Sequence, residues 1–293
     1  MTRKKWRIAR TMAVPANWQG SPEHFYHFLL GYFTPLVLWQ ERTGTMEVAV
    51  RDCGPMNPWF DLLRAQTDVE FMPPGVMLER LLSHRQERVI LRDWDNPTRF
   101  HHRSLARVRE SVLSRARPET TFKGRPRITV LERRPNPDFF HSQAAETPGG
   151  GSGWRSVPNI NIVAEGLSAF GSVAVVDTAE LAPAAQVELM QSTDLLVAQH
   201  GAGLSNMLWM PDGASEVELL PPLPPTIDTI FRNLAAARSL GYVAVRQSDL
   251  HAPIDADSVA AAVEGVLAHP TPPVPTPTGR LPIRVLRQLP RRW

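Results

Sequence analysis

The sequence has a single cysteine, Cys53, among its 293 residues. One thiol excludes an internal disulfide and a zinc site built from several thiolates. No apolar run approaches the length of a membrane span, and the basic start Met-Thr-Arg-Lys-Lys-Trp-Arg is not followed by the apolar segment of a signal peptide. We therefore expect a soluble, cytoplasmic protein.

A large excess of charge is also missing, because 32 Lys and Arg stand against 29 Asp and Glu, a formal net charge of +3. This surplus is too small and too scattered to indicate nucleic-acid binding, and it suits a phosphate-bearing small ligand or an acidic glycan. The hydrophobic share of 43% is typical of a globular protein, and the length favours two domains.

The most informative stretch lies between two strand-like runs, 195–198 and 214–220, each ended by turn residues. Gly201 and Gly203 predict a sharp turn without side chains at the start of a helix. A helix start presents N–H groups without partners and the positive end of the helix dipole, which favours a phosphate. His200 is expected at the lip of this site.

Several features of this stretch occur together: the His-Gly-Ala-Gly-Leu loop, Asn206, a Met-Pro stop, and a strand ending in Glu-Leu-Leu-Pro from Glu218. Together they resemble glycosyltransferase family 61, whose members transfer xylose or N-acetylglucosamine. Tyr26-His-Phe-Leu is similar to the amino-terminal aromatic-His-Phe-Leu helix of that family, which lines the acceptor side of the cleft. The family often has an acidic residue where Gly31 stands here, a difference that argues against a carboxylate role on this helix.

Alternating strands and helices predict an α/β fold, and the resemblance implies the GT-B-like architecture of two Rossmann-like lobes with a cleft between them. We place the amino-terminal, acceptor-side lobe at 1–122 and the carboxy-terminal, nucleotide-sugar-binding lobe at 123–269. The Pro-rich, basic tail at 270–293 is expected to be disordered, with peripheral contact to an acidic glycan or membrane surface as the alternative.

The donor site is expected at the ends of strands in the carboxy-terminal lobe, where ligands of open α/β sheets bind. Arg133, or its neighbour Arg134, follows a strand and matches the family's arginine for the diphosphate. Glu218 would accept hydrogen bonds from ribose or pair with an arginine, and Asn159 would bind the donor or cap a turn. The residues expected to bind the donor are Arg133, Arg134, Arg155, Asn159, His200, Gly201, Ala202, Gly203, Leu204, Ser205, Asn206 and Glu218.

The resemblance implies an inverting reaction, which needs a base that takes the proton of the acceptor hydroxyl. Histidine suits this role because its ordinary pKa lies near neutrality. The candidates are His27, His24, Glu23 and Asp52, and the sequence does not choose among them. Neither a cofactor nor a metal is expected, although Asp93 and Asp95 have the spacing of a metal-binding acid pair in nucleotide-sugar enzymes of another fold.

The implied function is metal-independent transfer of a sugar from a nucleoside-diphosphate donor, with a UDP-sugar as the first candidate, to a hydroxyl of a glycan or natural product. High Arg, Ala and Pro usage indicates a GC-rich bacterial genome, which suits polysaccharide biosynthesis. One alternative is a non-catalytic nucleotide-sugar-binding protein. The other is a nucleotide-dependent oxidoreductase, whose three-glycine dinucleotide fingerprint is missing after the first strand.

Overall fold

The computed structural model describes residues 11–15, 24–43, 46–63, 67–72, 87–92, 100–116, 126–135, 151–269 and 284–288. The strands in these segments are β1 (Thr11–Pro15), β2 (Met46–Arg51), β3 (Thr67–Met72), β4 (Glu87–Arg92), β5 (Arg127–Leu131), β6 (Ser172–Val176), β7 (Leu195–Gln199), β8 (Ser215–Leu220), β9 (Gly241–Arg246) and β10 (Arg284–Gln288). The α-helices are α1 (Phe25–Phe28), α2 (Thr34–Thr43), α3 (His102–Ala116), α4 (Gly151–Trp154), α5 (Ile160–Leu167), α6 (Pro183–Gln191), α7 (Ile230–Arg238) and α8 (Ala256–Ala268). A π-helical segment (Leu29–Phe33) joins α1 to α2, and 3₁₀ helices span Gly54–Leu62, Thr178–Glu180 and Ala202–Trp209.

The strands form two five-stranded sheets, in the orders β10-β4-β1-β2-β3 and β6-β5-β7-β8-β9. Every neighbouring pair is parallel except β10 with β4. In the second sheet Val130 is in register with Val197, which is in register with Val217, and all three are fully buried. Helices on both faces explain why these strands appear as continuous apolar runs in the sequence. The predicted α/β class is confirmed.

The order of the second sheet reverses at β5. The chain runs from β5 outward to β6 and then returns to the other side of β5 as β7. Loops that follow β5 and β7 therefore leave the sheet in different directions and open a crevice at the carboxyl ends of the strands. Such a reversal is where open α/β sheets bind their ligands.

One hydrophobic cluster contains residues of both halves of the chain. Phe28 and Phe60, from the amino-terminal half, belong to the same buried cluster as Trp209 and Phe231. The rings of Trp59 and Trp209 stack with centroids 6.1 Å apart. The helix α3, which precedes the predicted boundary at 122, packs against α2 and also against α6 and α7. The two predicted lobes thus share packing across their boundary.

A second cluster fills the opposite face of the second sheet. Ile128 and Val197 from the strands pack there with Val163 of α5 and Val259 of α8. The helix α8 begins where the side chain of Asp255 caps it by accepting a hydrogen bond from the backbone N–H of Ser258. This cluster packs against one face of the sheet, and the loops at the carboxyl ends of the strands lie outside it.

Three elements differ from the sequence-based expectations. The strand β10 lies within the tail predicted to be disordered and pairs with the edge strand β4, because an edge strand offers unpaired backbone groups to another segment. The helix α5 had no prediction, although its apolar residues Ile160, Val163 and Leu167 are buried together. The helix predicted after Gly201 is present, with the tighter 3₁₀ geometry.

None of the helices that the structure describes has both the length and the apolar character that a membrane crossing requires.

Candidate functional site

Arg133, the second residue after β5, lies against the loop that follows β7. Its Nη1 donates a hydrogen bond to the backbone oxygen of His200 at 3.3 Å. A Cβ atom on Gly201 would meet the same nitrogen at 2.1 Å. The φ of Gly201 is 163°, an extended backbone that any residue adopts. Glycine is therefore required here for the close approach of the guanidinium, and not for the sharp turn that the sequence predicted.

Arg155, which follows α4, supplies a second guanidinium beside the first. Its Nε and Nη1 are buried and have no hydrogen-bond partner among the described residues. Burial lowers the pKa of both arginines to about 10, and for Arg133 the charge of Arg155 adds to this effect, while Asp177 opposes it. Both side chains remain charged at neutral pH. Two partly desolvated guanidinium groups, with Nε and Nη1 of Arg155 left without partners among the described residues, make this edge of the sheet chemically suited to an anion.

His200 is held from the other side by a buried carboxylate. Its Nδ1 lies 2.5 Å from Oε1 of Glu218, and the hydroxyl of Tyr242 donates to Oε2 of Glu218 at 2.5 Å. Glu218 is fully buried. Both of its oxygens are thus engaged inside the protein, which differs from the contact to ribose that the sequence suggested. Glu218 instead fixes the orientation of the His200 ring.

The surroundings of His200 keep its ring neutral. The ring of Phe231, on α7, meets it edge-on with centroids 4.8 Å apart. Burial is the largest cause that lowers the pKa of His200, and the charges of Arg155 and Arg133 lower it further, while Glu218 acts in the opposite direction. At neutral pH the free protein therefore presents an uncharged imidazole beside two cations.

The 3₁₀ helix Ala202–Trp209 starts at this site. The N–H of Leu204 donates to the oxygen of Gly201 at 3.0 Å and closes the first turn, so the amides of Ala202 and Gly203 precede the first bond of the helix. These two amides are the helix-start donors nearest His200. The glycine at 203 leaves room for Leu131, whose Cδ1 would lie 3.3 Å from an added Cβ.

Three of the predicted donor-binding residues turn into the protein. Leu204, Ser205 and Asn206 are all fully buried. Leu204 joins the hydrophobic cluster that both halves share. Asn206 donates through Nδ2 to Oε1 of Gln186 on α6 at 3.0 Å. Their side chains anchor the 3₁₀ helix, and the structure does not bring them to the anion site.

Two further predicted donor-binding residues lie apart from it. Arg134 is exposed and pairs with Glu132 at 3.0 Å and Glu180 at 2.9 Å. Asn159 forms two hydrogen bonds with the backbone of Ile254, which ties the start of α5 to the segment before α8. Of the adjacent arginines that the sequence left open, only Arg133 contacts the His200 loop.

The histidines of the amino-terminal helix lie close to the same loop, because α1 packs against the 3₁₀ helix Ala202–Trp209. The rings of His24 and His27 stack with centroids 6.2 Å apart. The rings of Tyr26 and Phe231 meet edge-on with centroids 6.0 Å apart, and the ring of Phe231 also packs against that of His200. Burial, with a smaller effect of His24, lowers the pKa of His27 to about 4. His27 is therefore neutral at pH 7 and has a lone pair that accepts a proton.

The other base candidates are placed differently. Oδ1 of Asp52 accepts hydrogen bonds from the N–H of Gly54 and from Nδ2 of Asn57, both at 2.8 Å, so this carboxylate stabilises the turn after β2. Glu23 and the acid pair Asp93 and Asp95 lie outside the described residues. Within the described segments no group of three or more His, Cys, Asp or Glu side chains is arranged to hold a metal ion.

Tyr242 is the site residue that the sequence reasoning missed. A signal was present, because Glu216 and Glu218 stand two apart in a fully buried strand, and a buried carboxylate needs partners. Tyr242 lies on the next strand, in register with Glu216. The pairing of β8 with β9 was the step that single-sequence reasoning did not supply.

The family model described as Glycosyltransferase 61 matches residues 25–217, a range that includes α1, Arg133, Arg155 and the His200 loop. No curated protein matches the chain.

Among solved structures, a dodecameric iron-containing heptosyltransferase, TibC, in complex with ADP-D-beta-D-heptose is similar at 15% sequence identity and a TM-score of 0.33. The match covers 72% of this chain and 58% of the heptosyltransferase. A likeness at this level carries no inference about the chemistry of this chain.

Proposed function

The chain belongs to glycosyltransferase family 61, and from this premise we propose that it transfers a sugar from a nucleoside-diphosphate donor to a hydroxyl group of a glycan or natural-product acceptor. A UDP-sugar is the first candidate for the donor. The proposed reaction inverts the anomeric centre and uses no metal. Polysaccharide biosynthesis in a bacterium is the setting that the composition favours.

The observation that carries this proposal is the convergence of Arg133 and Arg155 on the His200 loop, at the reversal of strand order. A diphosphate would satisfy the guanidinium donors and the amides of Ala202 and Gly203 at once. As the sugar departs, negative charge grows on the leaving diphosphate. Donors already held in place lower the barrier for that step without a metal ion.

We further propose that the two sheets act as the two lobes of a GT-B enzyme. The second sheet would hold the donor, and the first sheet with α1 would hold the acceptor. His27 is the preferred base, because α1 packs against the donor loop and because its ring is uncharged at neutral pH. His24, its stacking neighbour, remains the second candidate.

The test is thermal stabilisation of the purified protein by UDP, GDP, dTDP, CMP and NAD, each in the presence of EDTA. A ligand at roughly a hundred times its dissociation constant stabilises the folded state by about 2.7 kcal/mol. We expect one nucleoside diphosphate to raise the melting temperature. The Arg133→Ala variant should lose most of this shift, because charge-assisted hydrogen bonds contribute about 1.5–3 kcal/mol each.

Arg134→Ala is the matched control. It removes the same charge one residue further along, from an exposed surface pair, and it should keep the full shift. Stabilisation by NAD alone, or by none of the diphosphates, would contradict the proposed function. Equal losses in the two variants would contradict the placement of the site.

A further inference from the structure

One ring nitrogen of His200, Nδ1, is hydrogen-bonded to another described residue, and the other, Nε2, is not. Nδ1 lies 2.5 Å from the buried carboxylate of Glu218, which accepts a second bond from Tyr242. With a carboxylate as its partner, Nδ1 carries the proton of the neutral ring, and Nε2 then holds a lone pair. Within the described part of the chain, the ring forms its hydrogen bond through Nδ1 and none through Nε2.

This tautomer is poorly suited to an anion in its present state. A lone pair on Nε2 repels a phosphate oxygen, whereas an imidazolium donates from both nitrogens. In the free protein, burial and the two nearby guanidiniums oppose the charged form. A bound diphosphate changes this balance, because its negative charge offsets that of Arg133 and Arg155 while Glu218 continues to favour the cation.

We propose that His200 takes up a proton when the diphosphate of the donor binds, and that Glu218, itself held by Tyr242, is the positioning residue that directs this proton to Nε2. This inference rests on the proposed function. The charged and titratable groups around the ring are Arg133 after β5, Arg155 after α4, Glu216 and Glu218 on β8, Tyr242 on β9, Arg232 on α7, and, beyond Phe231, Tyr26 and His27 on α1 with His24 just before it.

The proton balance of the reaction follows from this assignment. The bond between the anomeric carbon and the diphosphate oxygen breaks, and its electron pair goes to that oxygen, which accepts a hydrogen bond from Nε2–H. The acceptor oxygen forms the new bond to the anomeric carbon, and its proton passes to the base. When the nucleoside diphosphate leaves, His200 returns its extra proton to solvent, so the imidazolium exists only while the anion is bound.

Isothermal titration calorimetry in two buffers of different ionisation enthalpy measures this proton directly. UDP, GDP and dTDP are titrated at about pH 7.5, above the terminal phosphate's second pKa of about 6, so that the ligand itself exchanges few protons. We expect wild-type protein to take up close to one proton per bound diphosphate. The dissociation constant should rise with pH, by up to roughly tenfold per unit between the pKa of His200 in the free protein and its higher pKa in the complex, and should level off above the latter.

Variants separate the positioning role from a merely structural one. His200→Gln should bind more weakly and take up almost no proton. Glu218→Gln keeps the shape of the side chain but removes its charge. This variant should lose most of the proton uptake, and its dissociation constant for the diphosphate should depend less on pH. Arg134→Ala, on the surface, should match wild type. If Glu218→Gln does not fold, wild type and His200→Gln still decide the matter.

The outcomes are distinct. Equal binding heats in the two buffers for wild type would overturn the proton uptake and leave the proposed function standing. Undiminished proton uptake in His200→Gln would assign the proton to another group and would also overturn the inference about His200. Absence of binding by all three diphosphates would contradict the proposed function itself, and the inference with it.

Discussion

At the scale of single residues, Gly201 links packing to ligand binding. Its missing side chain leaves the space that Arg133 occupies, since an added Cβ would lie 2.1 Å from Nη1. A guanidinium is the far end of a flexible side chain and is displaced at small cost, so the fold should tolerate the change better than the site does.

We therefore predict that Gly201→Ala weakens binding of the nucleoside diphosphate by roughly tenfold or more, the worth of about one charge-assisted hydrogen bond. The melting temperature of the free protein should change little. Gly166→Ala is the control, because its added Cβ meets nothing within 4 Å in α5. That variant should bind normally and gain about 0.5–1 kcal/mol. Normal binding by Gly201→Ala would show that Arg133 does not contact the ligand.

The lowered pKa of His27 leads us to predict that the stability of the protein depends on pH. Its pKa falls from 6.5 to about 4 on folding, with burial as the main cause. Because the unfolded chain binds the proton first as the pH falls, the contribution of the neutral ring is fully present above pH 6.5 and is lost between 6.5 and about 4. The upper limit is about 1.4 kcal/mol per pH unit, reduced by solvent screening of a partly exposed ring.

Urea unfolding at several pH values across this window checks the prediction. The His27→Gln variant should lose less stability than wild type as the medium becomes more acidic. The exposed His269, at the end of α8, provides the control, and His269→Gln should follow wild type. Parallel curves for wild type and His27→Gln would mean that His27 is not buried as described.

At the scale of elements, the 3₁₀ helix Ala202–Trp209 is fixed at its far end by Arg238 of α7. Nε of this buried side chain donates to the oxygen of Leu208, and Nη2 donates to the oxygen of Met210 and to Asp212, all at 3.1 Å. Cations at the carboxyl end of a helix satisfy carbonyl groups that have no partner within it.

Arg238→Met should therefore lower the free energy of unfolding by about 1–3 kcal/mol, because it leaves the oxygen of Leu208 without this donor. The oxygen of Met210 keeps its bond from Nε of Arg109 at 3.0 Å. Arg246→Met is the matched control, since its pair with Asp228 spans 4.0 Å and the side chain is 70% exposed. This control should stay within about 0.5 kcal/mol of wild type. Similar losses in chemical denaturation of the two variants would contradict the anchoring role of Arg238.

Much of the second sheet could be predicted from the sequence, and the reasons are local. The bounds of β7 and β8 agree with the predicted runs to within one residue, because short apolar stretches between turn residues specify buried strands. Arg133 and Arg155 were selected by family resemblance and by position at the strand ends. The choice between Arg133 and Arg134 needed the three-dimensional contact with the His200 loop.

Other features depend on contacts between distant parts of the chain. The partnership of Glu218 with Tyr242 requires the pairing of β8 with β9, and β10 forms a strand because β4 offers it an edge. No local sequence pattern predicts the contact between Glu218 and Tyr242 or the strand β10. The π-helical segment Leu29–Phe33, with every residue buried, is likewise a result of tertiary packing around an otherwise ordinary helical sequence.

At the scale of the whole molecule, the shared hydrophobic cluster predicts cooperative unfolding. Because Trp59 stacks on Trp209 and α3 packs against both halves, neither half should be stable without the other. We expect tryptophan fluorescence and far-ultraviolet circular dichroism to give one coincident transition in guanidinium chloride. Two separated transitions, or a folded fragment 1–122 on its own, would contradict this view of the core.

The most direct test of the central claim is a structure of the protein with a bound nucleoside diphosphate, chosen by the thermal screen. We predict that the phosphates lie at the carboxyl edge of the second sheet, with oxygens about 2.7–3.2 Å from donors of Arg133 and Arg155, beside Nε2 of His200. A diphosphate bound elsewhere, with both guanidinium groups unliganded, would contradict it.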